Sequence, residues 1–384
     1  MKDIYNALFR RPLSVWPAGL LLATLNILLF AYEKPWTASD GLRNWGDWWF
    51  AAAGVPPSAR LLPPWLYSGS VLNLGLLAGA SAAALLSRQF AVQIAPPGEL
   101  AKGFLGGLLM GVGAVVAMGC NIGGFYSALS ALSLSGLAMM AGLTVGAFIG
   151  LRYLLWEAEH LPGWSSGPTR TLLAAPARGP SRQPWMGGLA LVAVAVAVAV
   201  YGRNDLAQRG GLLLFGVLLG VILQRSRFCL VRAFREPFLT GDSEMTRAAV
   251  LSLLVSLFGF AVLKATDLRS TSAFVFPAFW QGGLAGGTVF GVGMVLAGGC
   301  GAGSLWRAAE GHVKLWCAVF GFALASSLAR RSAEEHQWLR SLGTGVFLPD
   351  VTGWPSALAI IAAVLVAWYL AAAWNEKTRK FAAA

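Results

Sequence analysis

The sequence predicts an all-α polytopic membrane protein, and three observations carry that reading. Of 384 residues, 57% are hydrophobic and only 12% are charged, about half the charge of a soluble globular domain. The apolar residues gather in runs near the length a helix needs to cross the hydrocarbon core of a bilayer. Two of those runs are copies of each other and end on the same Gly-Cys pair. So little charge excludes an ordinary water-soluble enzyme, and so much apolar content excludes disorder. The 47 glycines follow no three-residue period, which excludes a collagen-like chain.

Ten hydrophobic segments follow in order, at 13–32, 66–87, 101–119, 137–156, 186–201, 210–224, 245–264, 282–299, 312–330 and 354–374. No small-residue cleavage site with a polar sequel follows the first, so it reads as a span and not a cleaved leader. The segment 33–62 carries Trp36, Trp45, Trp48 and Trp49. Indole rings suit a membrane–water boundary, and this stretch reads as an amphipathic interfacial helix. The stretch 157–184 is rich in Pro, Gly and Ser and reads as a cytoplasmic linker between a first half, 1–156, and a second half, 185–384.

Basic residues set the orientation. Alternating spans from Lys2, Arg10 and Arg11 place both termini and the loops 88–102, 152–184 and 225–247 in the cytoplasm. Of the 29 Lys and Arg, 17 then fall inside and ten outside. The net charge of +12 is scattered over short loops, so it orients the chain and does not point to nucleic acid. Four cysteines and three histidines, with no Cys-x-x-Cys pair, give little basis for a disulfide scaffold or a metal site. Without a Walker A motif or a strand-linked GxGxxG, no cofactor and no enzymatic activity are expected.

The strongest signal is a repeat at an offset of 180. Residues 103–120 match 283–300 at ten of eighteen positions, from Gly103/Gly283 to Cys120/Cys300. A weaker echo precedes each copy, LLSRQF against ILQRSRFC. The second half inserts the span 245–264 between echo and copy, so the two Gly-rich helices are expected to run in opposite directions. That is the inverted-repeat arrangement by which many transporters place a site near the bilayer midplane. Close helix packing accounts for Gly103 to Gly113 and their counterparts. The flanks MGCNIGGF and GGCGAGS are too glycine-rich for continuous helix. They read as broken loops, 119–124 and 298–303, meeting near the centre, with backbone N–H groups around Gly119, Asn121 and Gly123 and around Gly299, Gly301 and Gly303 able to hold an anion.

Cys120 and Cys300 stand at equivalent breaks, and Cys229 lies in the basic run RSRFCLVRAFREPF. Cys317, inside an ordinary apolar span, reads as a small buried hydrophobe. Arg307 and Glu310 follow Cys300 by one to two turns. They are either an ion pair anchoring that helix or an arginine that draws an anion inward. Arg225, Arg227, Arg232 and Arg235 are either an interfacial collar or an exit funnel for anions.

The runs ILQRSRFCLVRAFREPFLTGD, VFGVGMVLAGGCGAGSLWRAAEGHVKLW and AMGCNIGGF resemble the YeeE/YedE sulphur-transport family of bacterial inner-membrane proteins, over 66–325. The resemblance implies thiosulfate uptake through an hourglass-shaped protein, the anion being handed between three thiols that match Cys300, Cys229 and Cys120. The order of the halves is that of YedE-type members, which are also associated with selenium metabolism. A selenium species or another sulfur compound is therefore the alternative cargo, and a membrane thiol sulfurtransferase or oxidoreductase the alternative class. A cytoplasmic TusA-like or rhodanese-like sulfur carrier is the partner the resemblance implies. The chemistry agrees, since a thiol is a weak donor and weak sites pass an ion without trapping it.

Overall fold

The computed structural model describes Tyr5 and residues 9–55, 61–174, 181–277 and 279–382. Lys2, Arg60, Arg178 and parts of the segments 33–62 and 157–184 lie outside the described residues. Thirteen helices of eight or more residues organise the described residues. They are α1 (Val15–Tyr32), α2 (Ser39–Ala52), α3 (Ser68–Leu86), α4 (Pro97–Val116), α5 (Leu134–His160), α6 (Gln183–Arg203), α7 (Ala207–Ser226), α8 (Leu230–Leu239), α9 (Glu244–Ala265), α10 (Trp280–Ala297), α11 (Gly301–Ala309), α12 (Val313–Glu335) and α13 (Trp354–Thr378). A π-helical segment, Asn121–Ser127, stands between α4 and α5. Ten helical stretches among the described residues are long and apolar enough to cross a membrane, and each overlaps one of the expected segments. Two of them, Ala207–Leu239 and Trp280–Ala309, are interrupted at Cys229 and Cys300.

One order of elements occurs twice: long, short, long, long, short, long. It is α1, α2, α3, α4, Asn121–Ser127, α5, and then α7, α8, α9, α10, α11, α12. Partners are exchanged between the two sets, with α4 against α12 and α10 against α5, and with α3 against α7 and α1 against α9. The Ser-Arg echo does not follow this order. Arg88 and Arg227 both end helices in the left-handed conformation, but the chain then passes from α3 to the long helix α4 in one case and from α7 to the short helix α8 in the other.

Glycine makes the central crossing possible. Helices α4 and α10 run antiparallel, Gly106 meeting Gly293 and Gly113 meeting Gly286, and a Cβ on either Gly106 or Gly113 would stand 2.6 Å from the facing carbonyl oxygen. On its other side α4 runs parallel to α12, where a Cβ on Gly107 would stand 2.2 Å from the Ala318 oxygen. Any side chain would force these helices apart, so the Gly-rich faces are packing surfaces, as small-xxx-small patterns require.

Both described ends lie on one face of the bundle, which we call the terminal face. Leu13 N–H donates to Arg225 O at 3.0 Å, and Arg247 pairs with Glu376 at 3.1 Å. The same face carries a two-stranded antiparallel sheet of Val92–Ile94 and Arg170–Leu172, which joins the described part of the 157–184 stretch to the chain ahead of α4. Buried Lys102 is held there by Glu157 at 2.8 Å and by Glu99 at 2.5 Å. From that face α4 runs 20 residues, about 30 Å, to the opposite face.

The segment 33–62 differs from the interfacial helix its tryptophans suggest. Trp49 is exposed, but Trp36 is 3% exposed, and Gly41, Leu42, Asn44 and Gly46 of α2 are buried. Gly46 lies against the Ala323 carbonyl of α12 and Gly41 against the Gly69 carbonyl of α3. Small residues on one face let α2 sink between long helices, and the indoles on its far face remain outside.

Candidate functional site

Each of the three cysteines singled out by sequence is the N-cap of a short helix. Cys120 caps Asn121–Ser127, Cys229 caps α8 and Cys300 caps α11, all in extended backbone conformation. Two residues ahead of each stands a left-handed residue: Met118 (φ 60°), Arg227 (φ 56°) and Gly298 (φ 76°). That conformation turns the chain sharply at the end of the preceding helix and sends it back into the protein. Glycine adopts it freely at 298, while Met118 and Arg227 bear the strain of a side chain.

The loops expected at 119–124 and 298–303 are thus much shorter than their glycine content suggests. The chain coils again immediately after each cysteine: Gly124 N–H donates to Cys120 O at 2.6 Å and Ser304 N–H to Cys300 O at 2.7 Å. A short helix satisfies part of its own backbone, which a loop in an apolar interior could not do. The first N–H groups of each helix still lack an intrahelical partner and carry the positive end of its dipole.

Several of these starts come together. A Cβ on Gly301 would stand 3.7 Å from Cys120 Cβ, 3.8 Å from its sulfur and 3.7 Å from Ala38 Cβ. A Cβ on Gly303 would stand 3.2 Å from Cys300 Sγ and 4.0 Å from Cys229 Sγ. The first turn of α11 therefore lies against all three thiols, most tightly at Gly303, where a Cβ would crowd Cys300 Sγ. Gly303 N–H donates to Cys300 Sγ at 3.3 Å. Gly123 faces the Thr37 hydroxyl, and Gly119 and Gly299 close their own turns, against Gly124 and against Ser304 and Leu315. Cys120 is 0%, Cys300 2% and Cys229 7% exposed, so the thiols are shut from solvent. The space beside Cys300 is apolar, lined by Trp36, Ile122, Tyr126, Phe228 and Leu230. Cys317 lies on α12, only partly buried and outside this cluster.

Sequence reasoning expected a helix within 33–62 but missed that its start reaches the thiol cluster. Helix α2 begins at Ser39, whose hydroxyl accepts from Cys120 N–H at 3.2 Å, and Ala38 O accepts from Asn73 Nδ2 at 2.9 Å. The tryptophans hid that start, although Thr37-Ala38-Ser39-Asp40 is a helix-start signature.

Charged groups flank the thiols on both faces. On the opposite face a cavity of about 110 Å³ is lined by Ser39, Asp40, Arg43, Met118, Gly119 and Arg330. Asp40 pairs with Lys34 and Arg330 with Glu334. On the terminal face Glu310, 3% exposed, accepts from Arg227 at 2.6 Å and from Gln224 at 2.9 Å. Arg307 is not its partner, and instead donates to Gly298 O at 2.7 Å, closing the turn before Cys300. The anchoring ion pair therefore joins the Cys300 and Cys229 segments. The Arg227 guanidinium also lies 5.3 Å from the Trp306 ring centre. Burial holds the Glu310 carboxyl above the usual carboxylate range despite Arg227. Burial, with Arg307 and Arg227 nearby, pushes His312 down to about 4. The remaining arginines of this run are engaged locally, Arg225 with Arg11 O, Arg232 with Asp242 and Arg235 with Glu236.

The described residues thus form a bundle of long apolar helices in which thiol-capped short helices converge on a buried centre. The chain belongs to the sulphur transport family, whose model matches residues 2–149 and 225–384. It is similar to the probable transporter YedE of Escherichia coli, 27% identical over 263 residues that cover 67% of this chain and 64% of that protein. It is also similar to the thiosulfate transporter TsuA of Escherichia coli, 38% identical over 118 residues, or 31% of this chain and 33% of that one. TsuA of Spirochaeta thermophila is 32% identical over 189 residues, 44% of this chain and 56% of that one. The chain thus spans about 64% of the length of the YedE relative.

Proposed function

We propose that the chain is an inner-membrane permease that takes up thiosulfate by relay between Cys120, Cys300 and Cys229. The observation that carries this reading is the gathering of three buried thiols around the first turn of one short helix. Thiosulfate offers a soft terminal sulfur to weak S–H donors and a negative charge to helix N-termini. The opposite face, with Arg43 and Arg330 beside Gly119, is the outer side. The terminal face, with Arg227 and Arg307, is cytoplasmic and is where a TusA-like or rhodanese-like carrier would collect the product. The twofold order of elements and the antiparallel crossing of α4 and α10 support two inverted repeats. Weak donor sites in series let the anion enter and leave without being trapped.

The half order of YedE-type members keeps a selenium species as the second cargo. The test is uptake of labelled thiosulfate into proteoliposomes holding the purified protein. Accumulation of intact thiosulfate is expected. Appearance of a sulfur-transfer product without accumulation would overturn the permease in favour of a membrane thiol enzyme.

A further inference from the structure

The thiols account for the sulfur end of the cargo but leave its oxygens unread. One buried side chain at the same place is under-employed. Asn121, the first residue after Cys120, is 0% exposed, and neither its amide nitrogen nor its amide oxygen has a well-formed hydrogen bond. The polar group beside it is the Cys300 thiol, a weak partner for an amide. Its neighbours Ile122 and Gly123 are buried too, against an apolar space and against Thr37. A buried amide left with no partner better than a thiol destabilises the resting protein. A leucine of similar shape would avoid that penalty. One turn into α11, Ser304 carries a second buried oxygen without a partner, next to Gly299.

Resting on the thiosulfate reading above, we propose that the Asn121 side chain is a specificity-determining residue of the relay. Its NH₂ donates to an oxygen of the anion while the thiols face the terminal sulfur, with Ser304 Oγ a second oxygen donor. The amide thereby sets which end of the anion meets which group. A solute bearing both a soft sulfur and oxygens satisfies the centre completely, and sulfate or hydrosulfide satisfies only half of it. The amide is also neutral, so it adds a donor without adding a charge that would trap the anion.

The test uses the full chain in proteoliposomes with labelled thiosulfate as probe. Asn121→Leu keeps the shape and removes the polar group. It is expected to stay monodisperse, and to raise KM at least tenfold while changing the maximal rate less. Asn121→Asp keeps the shape, loses the donors and adds a charge, and it is expected to abolish uptake. Asn121→Ser retains a donor and is expected to fall between Leu and wild type. A monodisperse Leu variant with wild-type KM would overturn the role of the amide alone. Should Leu fail to fold, wild-type KM in both the Asp and Ser variants would overturn it equally. A wild-type protein that accumulates no thiosulfate would instead overturn the function on which the proposal rests.

Discussion

The two Gly-Cys breaks make the same turn from different materials. Gly298 takes the left-handed conformation at φ 76°, and a Cβ there would meet nothing within 4 Å. Met118 takes it at φ 60° with a full side chain, which lines the cavity of the opposite face. After the turn, the second copy coils as an α-helix of nine residues, and the first as a π-helix of seven. Strain and an irregular helix thus concentrate on the Cys120 side. π-Helical turns are costly and are kept mostly where a site needs them. The comparison teaches that the geometry at the cysteine is held constant while the backbone that delivers it is free to vary.

The sharpest way to break the comparison is to remove the thiols. Cys120→Ala, Cys300→Ala and Cys229→Ala are each expected to reduce thiosulfate-dependent growth strongly, and Ser replacements to recover little. A single weak S–H contact is worth only about 0.5–1 kcal/mol. The larger loss arises because the anion would stand desolvated between the remaining groups, a cost borne at the barrier. Wild-type uptake by all three Ala variants at normal expression would refute the relay.

A smaller effect separates the two turns from the two thiols. Gly298→Ala is expected to lower stability by about 1 kcal/mol, the left-handed penalty for a side chain, without a clash. Met118→Gly relieves the same strain but returns freedom to the unfolded chain, so its gain is expected to be smaller. Thermal unfolding in detergent measures both, and equal shifts of one sign would show that the turns are not equivalent. The smallest effect belongs to Cys317→Ala, expected to leave uptake unchanged because that thiol lies on α12 outside the cluster. Loss of uptake with normal expression would show that the four cysteines were sorted wrongly.

The spans were legible because twenty-residue apolar runs have few other uses, and the Cys120–Cys300 kinship because identical registers survived at an offset of 180. The placement of the short helices was not. Helix α8 has ten residues, four of them charged or prolyl inside its last eight, and such a stretch reads as a surface loop until its neighbours bury it. Helix α2 was expected at the interface because of its tryptophans; Trp48 and Trp49 do lie outside, while the glycines that sink its other face carry no hydropathy signal. The partner of Glu310 was equally invisible, since Arg227 lies 83 residues away and Arg307 only three.

The glycine crossing of α4 with α10 and α12 has a mechanical consequence. Backbone stands against backbone there, with Gly113 facing Gly286 and Gly107 facing Ala318, so neither pair can slide without opening a gap that no side chain fills. Such a joint behaves as a rivet and not as a hinge. A frame riveted at its middle leaves the side chains of the buried centre as the parts free to move. In the relay proposed above, passage would then depend on side-chain rotation, which is fast, and not on the slow rocking of one half of the bundle against the other.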